Sequence, residues 1–83
     1  MSLMSDNEKR GVLLIAEQEI VNNGGSVVAT GAPQVSRFFA FVHFRTDKGT
    51  TIGSVTLDLR KGLTTQKIIN AVRAKMRAAD KLH

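Results

Sequence analysis

Arg37-Phe38-Phe39-Ala40-Phe41-Val42-His43-Phe44-Arg45 runs through Thr46-Asp47-Lys48-Gly49 into Thr50-Thr51-Ile52-Gly53-Ser54-Val55-Thr56-Leu57-Asp58-Leu59-Arg60. In the first run, Phe38, Ala40, Val42 and Phe44 alternate with Arg37, Phe39, Phe41, His43 and Arg45. That is the period-two pattern of a strand buried on one face. The middle segment is turn chemistry, and the second run returns as a strand with Val55, Leu57 and Leu59 on one side. Pairing Val42 with Val55 and Ala40 with Leu57 puts both apolar sets on the same face, and a one-residue slip separates them. Ile52 then lands on the wrong face, so Gly53 is expected to form a bulge that corrects the register.

The flanking segments supply the rest of the fold. Ser5-Asp6-Asn7-Glu8 matches a capping box, in which a serine hydroxyl and a glutamate carboxylate reciprocally satisfy two amides at a helix start. A helix follows to about Asn22, with Val12, Ala16 and Ile20 on one face and Gly24-Gly25 as its left-handed stop. Gly11 within this helix costs about 1 kcal/mol relative to alanine and predicts fraying of the first two turns. Ser26 to Thr30 is a short β-branched run and predicts a strand, and Gly31 to Gln34 a loop. After Lys61-Gly62, Thr64 caps a second helix, with Leu63 and Ile68 as a hydrophobic staple. Ile68, Ile69, Val72, Met76 and Ala79 form its apolar stripe, flanked by Arg73, Arg77 and Lys81 at four-residue spacing. The expected fold class is α+β: α-β-β-β-α, a three-stranded antiparallel sheet with two helices packed on one face. Residues 1–4, with Met4 a second methionine, read as an appended leader, and 5–83 as a single domain.

Composition narrows the function. The chain has 83 residues, no cysteine and only two histidines, His43 and His83, so no thiolate zinc site or disulfide framework exists. The longest apolar run, Val12 to Ala16, falls far short of the roughly 18 residues of a membrane span, and a cytoplasmic location without membrane association is expected. Formal net charge is +5. Its distribution is uneven: residues 1–23 carry −2 and residues 24–83 carry +7. A basic body with an acidic first segment fits a polyanionic partner.

Catalytic constellations are hard to assemble. His43 lies mid-strand with Ser54 across from it and Asp58 as the nearest carboxylate, diagonal to it in this register. A flat sheet offers that trio no oxyanion hole. Gly24-Gly25 ends a helix where a phosphate-binding loop would start one, and no Gly-Lys-Ser/Thr follows. The sequence therefore predicts a non-enzymatic binding domain, with no cofactor, metal or small-molecule substrate.

Arg37 to Phe44 resembles the RNP1 octapeptide of RNA-recognition motifs, basic-Gly-aromatic-Gly/Ala-Phe-Val-any-aromatic. Seven of eight positions fit, with Phe38 in place of glycine. The resemblance implies that Phe39 and Phe41 stack on bases while Arg37 reaches a phosphate. The remainder departs from that family, whose third strand leads into a helix rather than a turn and another strand. Element order instead resembles double-stranded-RNA-binding domains. Here only Lys61 and Lys67 bracket Thr64 where that family has its basic signature, and the loop at 31–34 lacks its histidine.

The expected function is nucleic-acid binding, to RNA or single-stranded DNA, through an open sheet face. Its expected residues are Arg37, Phe39, Phe41, His43, Arg45, Arg60, Arg73, Arg77 and Lys81. The alternative is a homodimeric structural or adaptor protein whose phenylalanine face is the subunit interface. A third placement, under the first helix, would make the two rings ordinary core.

Overall fold

A computed structural model describes residues 4–31, 33–49, 52–60 and 62–81. Helix α1 (Asp6–Asn22) is followed by strands β1 (Ser26–Val28), β2 (Phe39–Arg45) and β3 (Gly53–Asp58), and by helix α2 (Thr65–Asp80). The α+β class and its element order are as the alternation and caps predict. The capping box closes as expected: the Ser5 amide donates to Glu8 Oε1 at 3.1 Å, and the Glu8 amide donates to Ser5 Oγ at 3.2 Å. The Glu8 carboxyl is held below its ordinary pKa, chiefly by the Ser5 amide. Gly24 takes φ +83°, and the Gly24 and Gly25 amides donate back to the Val21 and Ile20 carbonyls, a Schellman end. Thr64 Oγ1 accepts from the Lys67 amide at 3.2 Å and starts α2. Gly11 leaves α1 unbroken from Asp6.

The sheet is antiparallel in the order β1-β2-β3. Val42 faces Val55 and Ala40 faces Leu57, the register that the apolar alternation requires. Both helices cover one side. α1 lies over β1 and β2, and α2 over β3. Between the layers Ala16, Ile20, Ala40, Val42, Phe44 and Val72 are fully buried, with Val55, Leu57, Ile68 and Met76 in the same cluster. Met4, set aside with the leader, is partly buried against this core; residues 1–3 lie outside the described residues.

Three local expectations change. Strand β1 ends at Val28, not Thr30, because Gly31 at φ +80° turns the chain away. The chain returns alongside β2, where Val35 bridges Ala40 and the Phe41 amide donates to the Gln34 carbonyl at 2.7 Å. Strand β2 starts at Phe39, since Ser36 forms a tight turn: its amide donates to the Phe39 carbonyl and its hydroxyl accepts from the Phe39 amide. Strand β3 begins at Gly53 and contains no bulge. Gly53 pairs directly with Phe44, and a Cβ there would stand 2.7 Å from Phe44 Cζ. The glycine makes room for a buried ring, and Ile52 stays exposed. Thr50 and Thr51, the expected start of this strand, lie outside the described residues.

Candidate nucleic-acid interface

The side of the sheet away from the helices carries Val28 from β1, Phe39, Phe41, His43 and Arg45 from β2, and Ser54, Thr56 and Asp58 from β3. Phe39, Phe41 and His43 are each half-buried. Because α1 packs on the opposite side, the two rings are not core beneath it. Their centroids are 6.2 Å apart with planes inclined by 36°, the spacing of side chains two apart on one strand face.

A second aromatic contact continues this row. Arg60 stacks its guanidinium 5.0 Å from the Phe38 centroid and 5.2 Å from that of Phe39, while Arg37 lies 5.3 Å from Phe38. Arg60 is fixed there by Asp58, donating from Nε to Oδ1 and from Nη2 to Oδ2, each at 3.1 Å. The carboxylate bonds hold its pKa above the usual guanidinium value. Sequence alternation places Phe38 in the core set and Arg37 on the open strand face. Instead both precede β2 in the turn after Ser36, with Phe38 half-buried under two cations and Arg37 exposed. Arg45, at the far end of β2 opposite Ser26, is exposed.

Beside Phe41 and His43 the chain between β1 and β2 leaves a cavity of about 340 Å³, walled by Val28, Thr30, Gly31, Pro33 and Gln34 and reached by Glu17 of α1. It exists because β1 pairs with β2 only at residues 43–45 and the returning segment pairs only at 40 and 41, so the loop between them stands off. Loop length in the sequence gives no hint of it.

The chain matches no known family. Neither curated proteins nor solved structures show a significant similarity either. The geometry of the face therefore carries the functional reading alone.

The other expected site residues separate from this face. Arg73 and Arg77 on α2 and Lys81 at its C-cap are exposed, in the helical layer on the opposite side of the sheet. Arg73 is also engaged: its Nε donates to Glu19 Oε2 of α1 at 2.8 Å. Glu19 is buried, and its pKa is lowered, first by the Arg73 hydrogen bond, with burial opposing and Asn23 assisting. This pair ties α1 to α2. Arg77 borders a separate cavity of about 320 Å³ with Asn23, Thr46 and Asp80.

His43, Ser54 and Asp58, set aside as a catalytic trio from the sequence, do not come together. Ser54 faces His43 as expected, but Asp58 faces Phe39, two same-face pairs along the strands rather than diagonal to the histidine. That separation is about 13 Å of strand. Among the described residues no group of three histidine, aspartate or glutamate side chains is placed to hold a metal ion. No helix among them is long and apolar enough to cross a membrane.

Proposed function

We propose that this domain binds single-stranded nucleic acid, RNA or DNA, across the open sheet face. The observation that carries the reading is the row Phe38, Arg60, Phe39, Phe41, in which aromatic and guanidinium planes follow one another on a side free of helices. Bases without pairing partners stack on both kinds of plane, and every base has such a face. Phe41 is the principal platform, since Arg60 already covers Phe39. The Arg60 plane then serves the neighbouring base, and the cavity beside Phe41 and His43 is large enough to take an unstacked base between the β1–β2 loop and the sheet. Arg37 and Arg45, exposed at opposite ends of β2, lie where a strand crossing the sheet would place phosphates. Arg73, Arg77 and Lys81 take no part in this reading.

The test is fluorescence anisotropy of a labelled single-stranded oligonucleotide titrated with the protein. Phe41→Ala should weaken binding by about 1–3 kcal/mol, while Arg77→Ala leaves it unchanged. Neutralising two phosphates through Arg37 and Arg45 gives a slope of log affinity against log salt near about −1.4. If Phe41→Ala binds as wild type does, the reading fails; if it also turns a dimer into monomers, the phenylalanine face is a subunit interface instead.

A further inference from the structure

Strand β3 is one of the two outer strands of the sheet, and the longer one. The Leu59 amide donates to the Phe38 carbonyl at 2.7 Å, so by alternation the odd residues of β3 bond to β2. Ser54 and Thr56 therefore direct their amides and carbonyls away from the sheet. Exposed edges of this kind recruit further strands unless they are blunted by lysine, proline, a bulge or a covering element. Strand β3 is Gly-Ser-Val-Thr-Leu-Asp, pairs in unbroken register and contains neither lysine nor proline. Its one charge, Asp58, stands at the end of the six-residue strand, and Ser54 and Thr56 are exposed.

From this edge we infer that two copies of the chain pair β3 to β3, antiparallel about a two-fold axis at Val55, into a continuous six-stranded sheet. The register follows from parity. Residues directly opposite must point to the same face, so Val55 meets its own counterpart on the helix side. Ser54 meets Thr56 on the open side, where their outward groups form four main-chain hydrogen bonds. The charges permit it: β3 holds one charged residue, Asp58, and the two-fold sets the two carboxylates about 20 Å apart along the strands, beyond the screening length at physiological salt. The flank of α2 that bears Arg73 faces α1, so the opposite flank, with Lys67, Ala71, Lys75 and Ala78, overhangs the β3 edge. The lysines of the two copies repel across the axis, a cost that added salt screens.

The pairing stands independently of what the open face binds, but it would enlarge that face. Phe41 of one copy would share a row with His43 of the second, three strand spacings or about 14 Å away. Two aromatic rows would thus form one surface.

The experiment is sedimentation equilibrium of the full chain, with amide hydrogen exchange read at Ser54 and Thr56. The expected results are twice the chain mass, slow exchange at those two amides in concentrated samples, and faster exchange on dilution. Each copy carries +5, so added salt should strengthen the pair, opposite to its effect on nucleic-acid binding. Thr56→Pro removes only an outward donor, and Thr56→Lys adds an edge charge. Either should yield monomers with an unchanged far-ultraviolet circular dichroism spectrum, while Phe41→Ala remains dimeric. Should the proline variant misfold, the lysine variant and the wild-type exchange data decide. A wild-type monomer at all concentrations, or a dimer indifferent to Thr56→Lys, overturns the inference.

Discussion

Gly53→Ala should destabilise the protein although it places a better strand residue in a strand. Glycine in a strand interior is worse than alanine by about 0.5–1 kcal/mol, because more backbone freedom is lost on folding. Against that gain stands the Phe44 ring, with Cζ at 2.7 Å, Cε2 at 3.0 Å and Cε1 at 3.2 Å from the added methyl. Phe44 is fully buried, so the ring has no solvent to move into. Overpacking of this kind costs about 1–3 kcal/mol, which exceeds the backbone gain. Urea denaturation should therefore show a net loss of about 1–2 kcal/mol at unchanged m-value. In a Phe44→Leu background the ring is gone, and the same substitution should become neutral or stabilising, giving a double-mutant coupling of about 1–3 kcal/mol, the overpacking cost itself. Gly11→Ala provides the opposite sign: nothing lies within 4 Å of a Cβ there, and helix propensity alone should add up to about 1 kcal/mol. A Gly53→Ala variant as stable as wild type, or one equally impaired with leucine at 44, would mean that the Phe44 ring does not require glycine at 53.

The remaining predictions concern the core and the ion pair between the helices. Val42→Ala and Leu57→Ala should each cost about 2–4 kcal/mol by urea denaturation, whereas Arg77→Ala stays within about 0.5 kcal/mol because its side chain is exposed. Arg73→Met should cost about 1–2 kcal/mol at neutral pH, less than a fully buried pair because the Arg73 side chain is 53% exposed. The Glu19 pKa is lower folded than unfolded, so its contribution is present above the unfolded value of about 4.3 and is lost as pH falls through the folded one. Wild type and Glu19→Gln should accordingly converge in stability as the pH is lowered below about 4.3; a constant difference would remove the ion pair as its source.

The β2–β3 register was legible because two alternating apolar sets admit only one pairing that keeps them together. Helix starts and stops were legible because Ser5, Glu8, Gly24, Gly25 and Thr64 act on backbone groups within a few positions of themselves. The role of Gly53 was not, since the ring that needs its missing side chain arrives from the neighbouring strand. The same holds for Glu19 and Arg73, which are 54 positions apart; a carboxylate in register with the apolar face of α1 was the available signal that it had a cationic partner. In the candidate site, alternation correctly put Phe39, Phe41 and His43 on the open side. It misplaced Phe38 and Arg37 because the Ser36 turn ends the period-two pattern before they are reached. Spacing alone also could not separate Arg73, Arg77 and Lys81 from the sheet face, since positive charge on a helix flank looks the same on either side of a sheet.

The central claim is that one face of the sheet holds a single strand. Amide chemical-shift mapping of the isotopically labelled protein, titrated with a short single-stranded oligonucleotide at about 100 mM salt, where exposed charges are screened beyond about 10 Å, tests it most directly. Shifts are expected at Val28, at residues 37–45, and at Ser54, Thr56 and Asp58, and none from Arg73 to Lys81. Shifts centred on Arg73, Arg77 and Lys81, or none at all, would contradict it.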